Sequence, residues 1–197
     1  MPLLPLLLAA YVLGSIPFAI VSSRLFGLAD PRKYGSGNPG ATNVLRSGNK
    51  AAALVTLVGD CLKGWLAVWA AARFGFSPFE AALAGLVAFL GHVFSVFLRF
   101  NGGKGVATAL GVLAGINGWI AFVALFVWLA VAFFTRYSSA AALSAAAAAP
   151  IAGLVLLGPG PTIVVLAVVA GILVWRHASN IRKLISGTES KIGGRRA

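Results

Sequence analysis

Apolar and polar positions in this chain alternate on the scale of whole bilayer crossings. Predominantly apolar runs cover Leu3 to Phe26, Ala51 to Ala72, Phe79 to Leu98, Ala140 to Leu157 and Thr162 to Trp175, with short polar segments between them. Crossing the hydrocarbon takes roughly 20 apolar residues in a helix, so each run predicts a spanning helix. A further uncharged stretch, Val106 to Thr135, reads as one long tilted helix or as two. The first run has no positive flank before it and so reads as the start of a first span rather than a cleaved signal peptide.

Charge placement decides between one helix and two, because cytoplasmic loops collect Lys and Arg. Arg24, Arg32, Lys33, Arg46 and Lys50 flank or fill the first loop, and Arg99 and Lys104 the third. Arg176, Arg182, Lys183, Lys191, Arg195 and Arg196 fill the C-terminal tail. The segment Phe74 to Pro78 has only Arg73 and Glu80 beside it and reads as the outer side. A single crossing from Val106 to Thr135 would turn Arg136 and the whole tail outward. Breaking the stretch at Asn117-Gly118 returns every basic cluster to the cytoplasm. The expected architecture is therefore an all-α bundle of seven spans, with the N-terminus outside and the C-terminus cytoplasmic. Its fourth span, Ala107 to Ile116, is only about 15 Å long at 1.5 Å per residue, half a bilayer. The end of so short a helix cannot face lipid, so it must be central and shielded by protein.

Composition supports the membrane reading. Hydrophobic residues make up 59% and charged residues 10% of the 197, against about 45–50% and 25% in soluble domains. Sixteen Lys and Arg against four Asp and Glu give a net charge of +12, which calls for anionic lipid or an anionic substrate. The basic residues are scattered between apolar spans, which argues against nucleic acid as a partner. The single Cys61 excludes an intrachain disulfide and a Cys-rich metal site, and reads as a small buried apolar residue. The Ala140 to Ala149 run suits a closely packed membrane helix with a kink at Pro150. Without solenoid repeats, residues 1–197 read as a single membrane domain with a core of 1–190 and a basic tail of 191–197.

Three polar segments could carry chemistry. The first loop contains Gly35-Ser36-Gly37-Asn38-Pro39-Gly40-Ala41-Thr42-Asn43-Val44-Leu45-Arg46. Its glycines let successive N–H groups turn toward an anion, Ser36, Asn38, Thr42 and Asn43 add donors, and Arg46 offers a fork for phosphate oxygens. In the third loop, Gly102-Gly103-Lys104-Gly105 follows Gly91-His92 and precedes the short central helix. Free N–H groups and a positive dipole end would meet there beside Lys104. The first glycine of a Walker A loop is missing and Val106 follows Gly105, so this is a different phosphate cradle. In the third segment, His177 and Asn180 share a helix face at i and i+3, and Glu189 stands alone in a basic tail that it would organise through ion pairs. Inside the second span, Asp60 and Lys63 also share a face. They are either an extension of the anion site, with Asp60 setting the position of Lys63, or a structural ion pair.

The usual catalytic sets are missing. The few acids make no Ser-His-Asp triad, and after four intervening residues His92 and His177 are followed by Phe97 and Arg182 rather than Asp. Two histidines and four scattered carboxylates offer no metal-ligand spacing, and no cofactor is expected. An enzyme built this way works by positioning and by cationic stabilisation of phosphate.

Ser36 to Arg46, then Gly91-His92 through Gly102-Gly103-Lys104-Gly105-Val106-Ala107-Thr108, then His177-x2-Asn180-Ile181 with Gly187-Thr188-Glu189-x-Lys191-Ile192, resemble three signature motifs. They are those of the bacterial acyl-phosphate:glycerol-3-phosphate acyltransferases, the PlsY type. Asp60-x2-Lys63-Gly64 resembles the second-span motif of the same family. One position departs from the family: a serine expected near Ala142 is absent, with Ser138, Ser139 or Ser144 as substitutes.

The resemblance implies acyl transfer from acyl phosphate to the 1-hydroxyl of glycerol 3-phosphate, giving lysophosphatidic acid and phosphate, the first acylation of phospholipid synthesis. It implies a multi-pass protein of the bacterial inner membrane with its site at the cytoplasmic face and an acyl-phosphate-producing enzyme as a candidate partner. Ser36, Arg46, Lys104, His177 and Asn180 take the catalytic roles. Gly37, Asn38, Thr42, Asn43, Lys63, His92, Gly102, Gly103 and Gly105 bind substrate, while Asp60 and Glu189 are structural. The rival reading from another class is an organic-phosphate transporter, whose broken helices also point at anions.

Overall fold

The protein is described by a computed structural model over residues 2–193, so the Arg195-Arg196 end of the basic tail lies outside the described residues. The described residues form helices and loops, without a strand. The chain divides into two compact units, the first ending at Ile116 and the second beginning at Asn117.

In the first unit, the opening apolar run is two helices, α1 (Leu3–Ser15) and α2 (Phe18–Leu25), bent by 43°. Pro17 has no N–H to continue α1 and pushes Ile16 out of the helical region, so the bend follows from the sequence. The freed carbonyls are satisfied by side chains from elsewhere. Ser95 donates its hydroxyl to the Ser15 carbonyl at 2.5 Å, and Lys63 donates to the Ile16 carbonyl at 2.8 Å. Such partners are what allow a helix to break at membrane depth.

After the first loop, whose short helix α3 spans Ala41–Leu45, α4 runs unbroken over Lys50–Arg73. Asn49 caps α4 by accepting from the Ala52 N–H at 2.9 Å. Then α5 covers Pro78–Val93, opened by a capping box in which Ser77 and Glu80 bond reciprocally. The third expected span holds over Pro78–Leu98, but its α-helical part stops at Val93 and a single tight turn follows over Val96–Leu98. Carbonyl groups at the end of a helix need outside donors, and loop N–H groups supply them here. Gly103 donates to the His92 carbonyl and Gly102 to the Val93 carbonyl, each at 3.1 Å.

The short helix α6 (Val106–Ile116) is where the charge argument put it, ending just before Asn117. It packs on α4 and α5 with Thr108, Ala109, Gly111, Val112 and Leu113 buried. Contact with α4 is backbone to backbone: a Cβ at Gly64 would strike the Thr108 carbonyl, and one at Gly111 the Cys61 carbonyl. Small residues permit this approach, which is how membrane helices pack without a hydrophobic drive between them.

In the second unit, α7 (Gly118–Thr135) starts at Asn117, whose side chain accepts from the Trp119 and Ile120 N–H groups at 2.9 and 3.4 Å. The alanine-rich α8 (Ser138–Leu157) packs against both α7 and α9 (Pro161–Arg176) and is continuous through Pro150. His177 sits at the 58° bend between α9 and α10 (Ala178–Ile185), just past the Trp175 end expected for the last span.

Four helical stretches are long and apolar enough to cross a bilayer, six if each bent pair counts as one span, and α6 is a further short apolar helix. Phe133 and Phe134 are 79% and 82% exposed on α7, an apolar surface of the kind that faces lipid.

Candidate functional site

Two loops of the first unit meet at the end of α5. In the first loop, Gly35 and Gly37 adopt φ of 60° and 70°, backbone that other residues rarely take, and so allow the chain to double back. Asn43, at the centre of that turn, is buried. Its side chain accepts the Ser36 N–H at 2.9 Å and donates to the Pro31 carbonyl at 2.6 Å and the Tyr34 carbonyl at 3.2 Å. The amide expected to meet a ligand is thus engaged in bracing the loop. Ser36 and Arg46 are exposed, with the Arg46 chain passing 3.2 Å from where a Cβ on Gly35 would lie. Asn38 and Thr42 are half-buried. Before this turn, Asp30 accepts a bidentate bond from Arg32, Nε to Oδ1 and Nη2 to Oδ2, which holds its carboxyl below the ordinary carboxylate range.

In the third loop, Gly102, Gly103 and Gly105 are buried and Lys104 is half-buried between them, one residue short of α6. Gly105 takes φ of 84°, with the Phe89 ring against the place a side chain would need. Gly103 lies against both the His92 ring and the first loop, since a Cβ there would strike His92 Nε2 and sit 3.1 Å from the Pro39 carbonyl. The glycine cradle and the donor-rich turn are therefore neighbours.

Beneath them lies a buried charged cluster drawn from α4, the end of α5 and the α1–α2 bend. Lys63 Nζ is 2.8 Å from Asp60 Oδ1, and His92 Nδ1 is 3.4 Å from the same oxygen. Only 1% of Lys63 and 2% of Asp60 is exposed. Of the two readings of this pair, burial and the bond to the Ile16 carbonyl favour the structural one. His92 joins it, a connection invisible in a sequence that separates the residues by 32 positions.

In the second unit, His177 is buried with Nδ1 2.8 Å from the Leu173 carbonyl. A carbonyl only accepts, so Nδ1 carries a proton. Asn180 and Ser139 both donate to Glu189 Oε1 at 2.7 Å. Among the described residues, Glu189 organises its surroundings through these hydrogen bonds to neutral groups. Ser139, one of the three serines weighed against the missing serine near Ala142, is bonded to this cluster. The sequence between α10 and the tail is tied back by Ile192, whose N–H donates to the Arg136 carbonyl at 2.7 Å. Among the described residues, no group of three or more metal-ligating side chains forms.

A polytopic helical membrane protein with glycine-cradled cations at its helix ends is the class these features define. Comparison with known proteins gives the family. The profile described as glycerol-3-phosphate acyltransferase matches residues 4–187. A glycerol-3-phosphate acyltransferase of Aromatoleum aromaticum is 81% identical over 98% of both chains, and one of Laribacter hongkongensis is 58% identical over 96% of both. Crystal structures of PlsY (YgiH), an integral membrane glycerol 3-phosphate acyltransferase, superpose with TM-scores of 0.91 for the glycerol 3-phosphate form and 0.89 for the lysophosphatidic acid form. They are 37% and 36% identical and cover 96% of this chain and 94% of theirs. The chain belongs to the glycerol-3-phosphate acyltransferase family, of the PlsY type, and is a multi-pass membrane protein.

Proposed function

We propose that this protein transfers a fatty acyl group from acyl phosphate to the sn-1 hydroxyl of glycerol 3-phosphate. The observation that carries the reading is the buried Gly102-Gly103-Lys104-Gly105 cradle at the start of α6, on a chain that superposes on a protein solved with glycerol 3-phosphate. The hydroxyl oxygen attacks the acyl carbonyl carbon, the bond from that carbon to the phosphate oxygen breaks, and lysophosphatidic acid and inorganic phosphate leave. The hydroxyl proton goes to a phosphate oxygen, which makes the substrate its own base.

Backbone amides of the cradle and Lys104 hold the glycerol phosphate, and Ser36 and Arg46 grip the acyl phosphate with Asn38 and Thr42 beside them. Asn43 serves by fixing the turn. His177 and Asn180 orient the attacking hydroxyl or the phosphates. The loops lie at the cytoplasmic face of the inner membrane, α6 is the fourth of seven spans, and the C-terminus is cytoplasmic. The basic clusters at Arg24 to Lys50, Arg99 to Lys104 and Arg176 to Lys191 support this orientation.

Detergent-purified protein given both substrates releases phosphate, and omission of either stops it. Lys104→Ala loses at least about a hundredfold in rate while still inserting in the membrane. Near-normal turnover in that variant would overturn the cradle, and phosphate release without glycerol 3-phosphate would overturn the reaction.

A further inference from the structure

The cluster beneath the two loops is not needed for any chemical step, yet it contains the one carboxylate buried among the described residues. Asp60 belongs to α4, Lys63 reaches from the next turn to the carbonyl of Ile16 at the α1–α2 bend, and His92 comes from the end of α5. Lys63 thus ties α4 to the α1–α2 bend, and the Asp60 oxygen beside it lies 3.4 Å from His92 Nδ1 of α5. Ionised groups at such depth are costly, and a purely apolar filling would pack the same space.

His92 explains what the arrangement does. Its Nδ1 faces Asp60 while Nε2 faces Gly103, and its own carbonyl accepts the Gly103 N–H at 3.1 Å. The ring is therefore a spacer between the carboxylate and the cradle. Its rotation is set on one side by Asp60 and read on the other as the height of Gly103. The absence of a Cβ at Gly103 lets the loop rest on the ring itself, and Pro39 of the first loop touches the same spot. A carboxylate fixes the direction of an imidazole in a way that an apolar neighbour of equal volume does not.

We propose that Asp60 is a positioning residue that, with Lys63 behind it and His92 in front, sets the 102–105 loop in the conformation that receives glycerol 3-phosphate. This rests on the role given to that loop above. In this reading all three act through the loop and not on the reacting atoms, where Lys63 and His92 were expected from sequence to bind substrate.

The test compares His92→Asn, His92→Gln and the double variant Asp60→Asn/Lys63→Gln in the full-length protein. Asn keeps a donor near the Nδ1 position but withdraws from Gly103. Gln restores a group near Nε2, and the double variant removes the ion pair without stranding either charge. KM for glycerol 3-phosphate is expected to rise about tenfold in His92→Asn and in the double variant, and less in His92→Gln. KM for acyl phosphate stays within about twofold. Stabilisation against heat by glycerol 3-phosphate alone, which needs no acyl donor, should weaken in the same order. Both KM values rising together, or neither rising in correctly inserted protein, overturns the proposal. If wild type is stabilised by glycerol 3-phosphate but turns over no acyl phosphate, the reaction assigned above fails and the order of the thermal shifts still decides the strut.

Discussion

At the scale of single residues, residue type does not reveal which donors of this protein brace the fold. Ser36, Asn38, Thr42 and Asn43 look alike in sequence, but Asn43 alone is buried with three backbone partners. Asn43→Ala leaves those partners without a bond at a cost of about 1–3 kcal/mol. It should lower the thermal midpoint and the turnover together. Asn43→Asp should be no better, because a carboxylate would then face the carbonyls of Pro31 and Tyr34, where the amide now donates. A midpoint in either variant equal to wild type would show that the turn stands without the brace. Asp60, Lys63 and His92 carry the same lesson. Spacing at i and i+3 made the ion pair legible, but a histidine on another helix joined it only through folding.

Among elements, the breaks matter as much as the helices. Pro17 makes the first one and is visible in sequence. The second, at Asn117, was legible only through the distribution of charge, since its local sequence is a bare Asn-Gly between apolar runs. The third, at His177, has neither signal: Arg176-His177-Ala178 reads as continuous helix, and the bend appears where His177 Nδ1 bonds back to the Leu173 carbonyl. The Ser77-Glu80 capping box is a start signal fully present in the sequence, three residues apart and followed by an apolar run.

Helix contacts follow the glycines. Gly111→Val would drive a branched side chain into the Cys61 carbonyl and force α6 off α4, so it should yield little protein that survives detergent extraction. Gly171→Ala on α9, where a Cβ would meet nothing within 4 Å, should express and extract like wild type. Equal recovery of the two variants would contradict the close approach of α4 and α6.

For the molecule as a whole, the testable quantity is which loops share a side of the membrane. With Cys61→Ser removing the natural thiol, Ser47→Cys in the first loop and Pro159→Cys between α8 and α9 report the two faces. In spheroplasts, a membrane-impermeant thiol reagent should label position 159 directly and position 47 only after permeabilisation. Labelling of both from outside would break the seven-span orientation, and with it the cytoplasmic placement of the loops.

What the sequence determined by itself is what depends on composition and order: a membrane protein, its apolar spans, the half-length helix forced by charge placement, and the family carried by long ordered motifs. Those properties follow from the cost of putting charge and bare backbone into hydrocarbon, a cost paid residue by residue. Tertiary structure alone decided which donors are consumed by the fold, where the last span bends, and that His92 stands between a buried carboxylate and the glycine cradle. Such facts depend on distances between groups far apart in the chain, and hydrogen bonds and ion pairs form only between groups that packing has brought within about 3 Å.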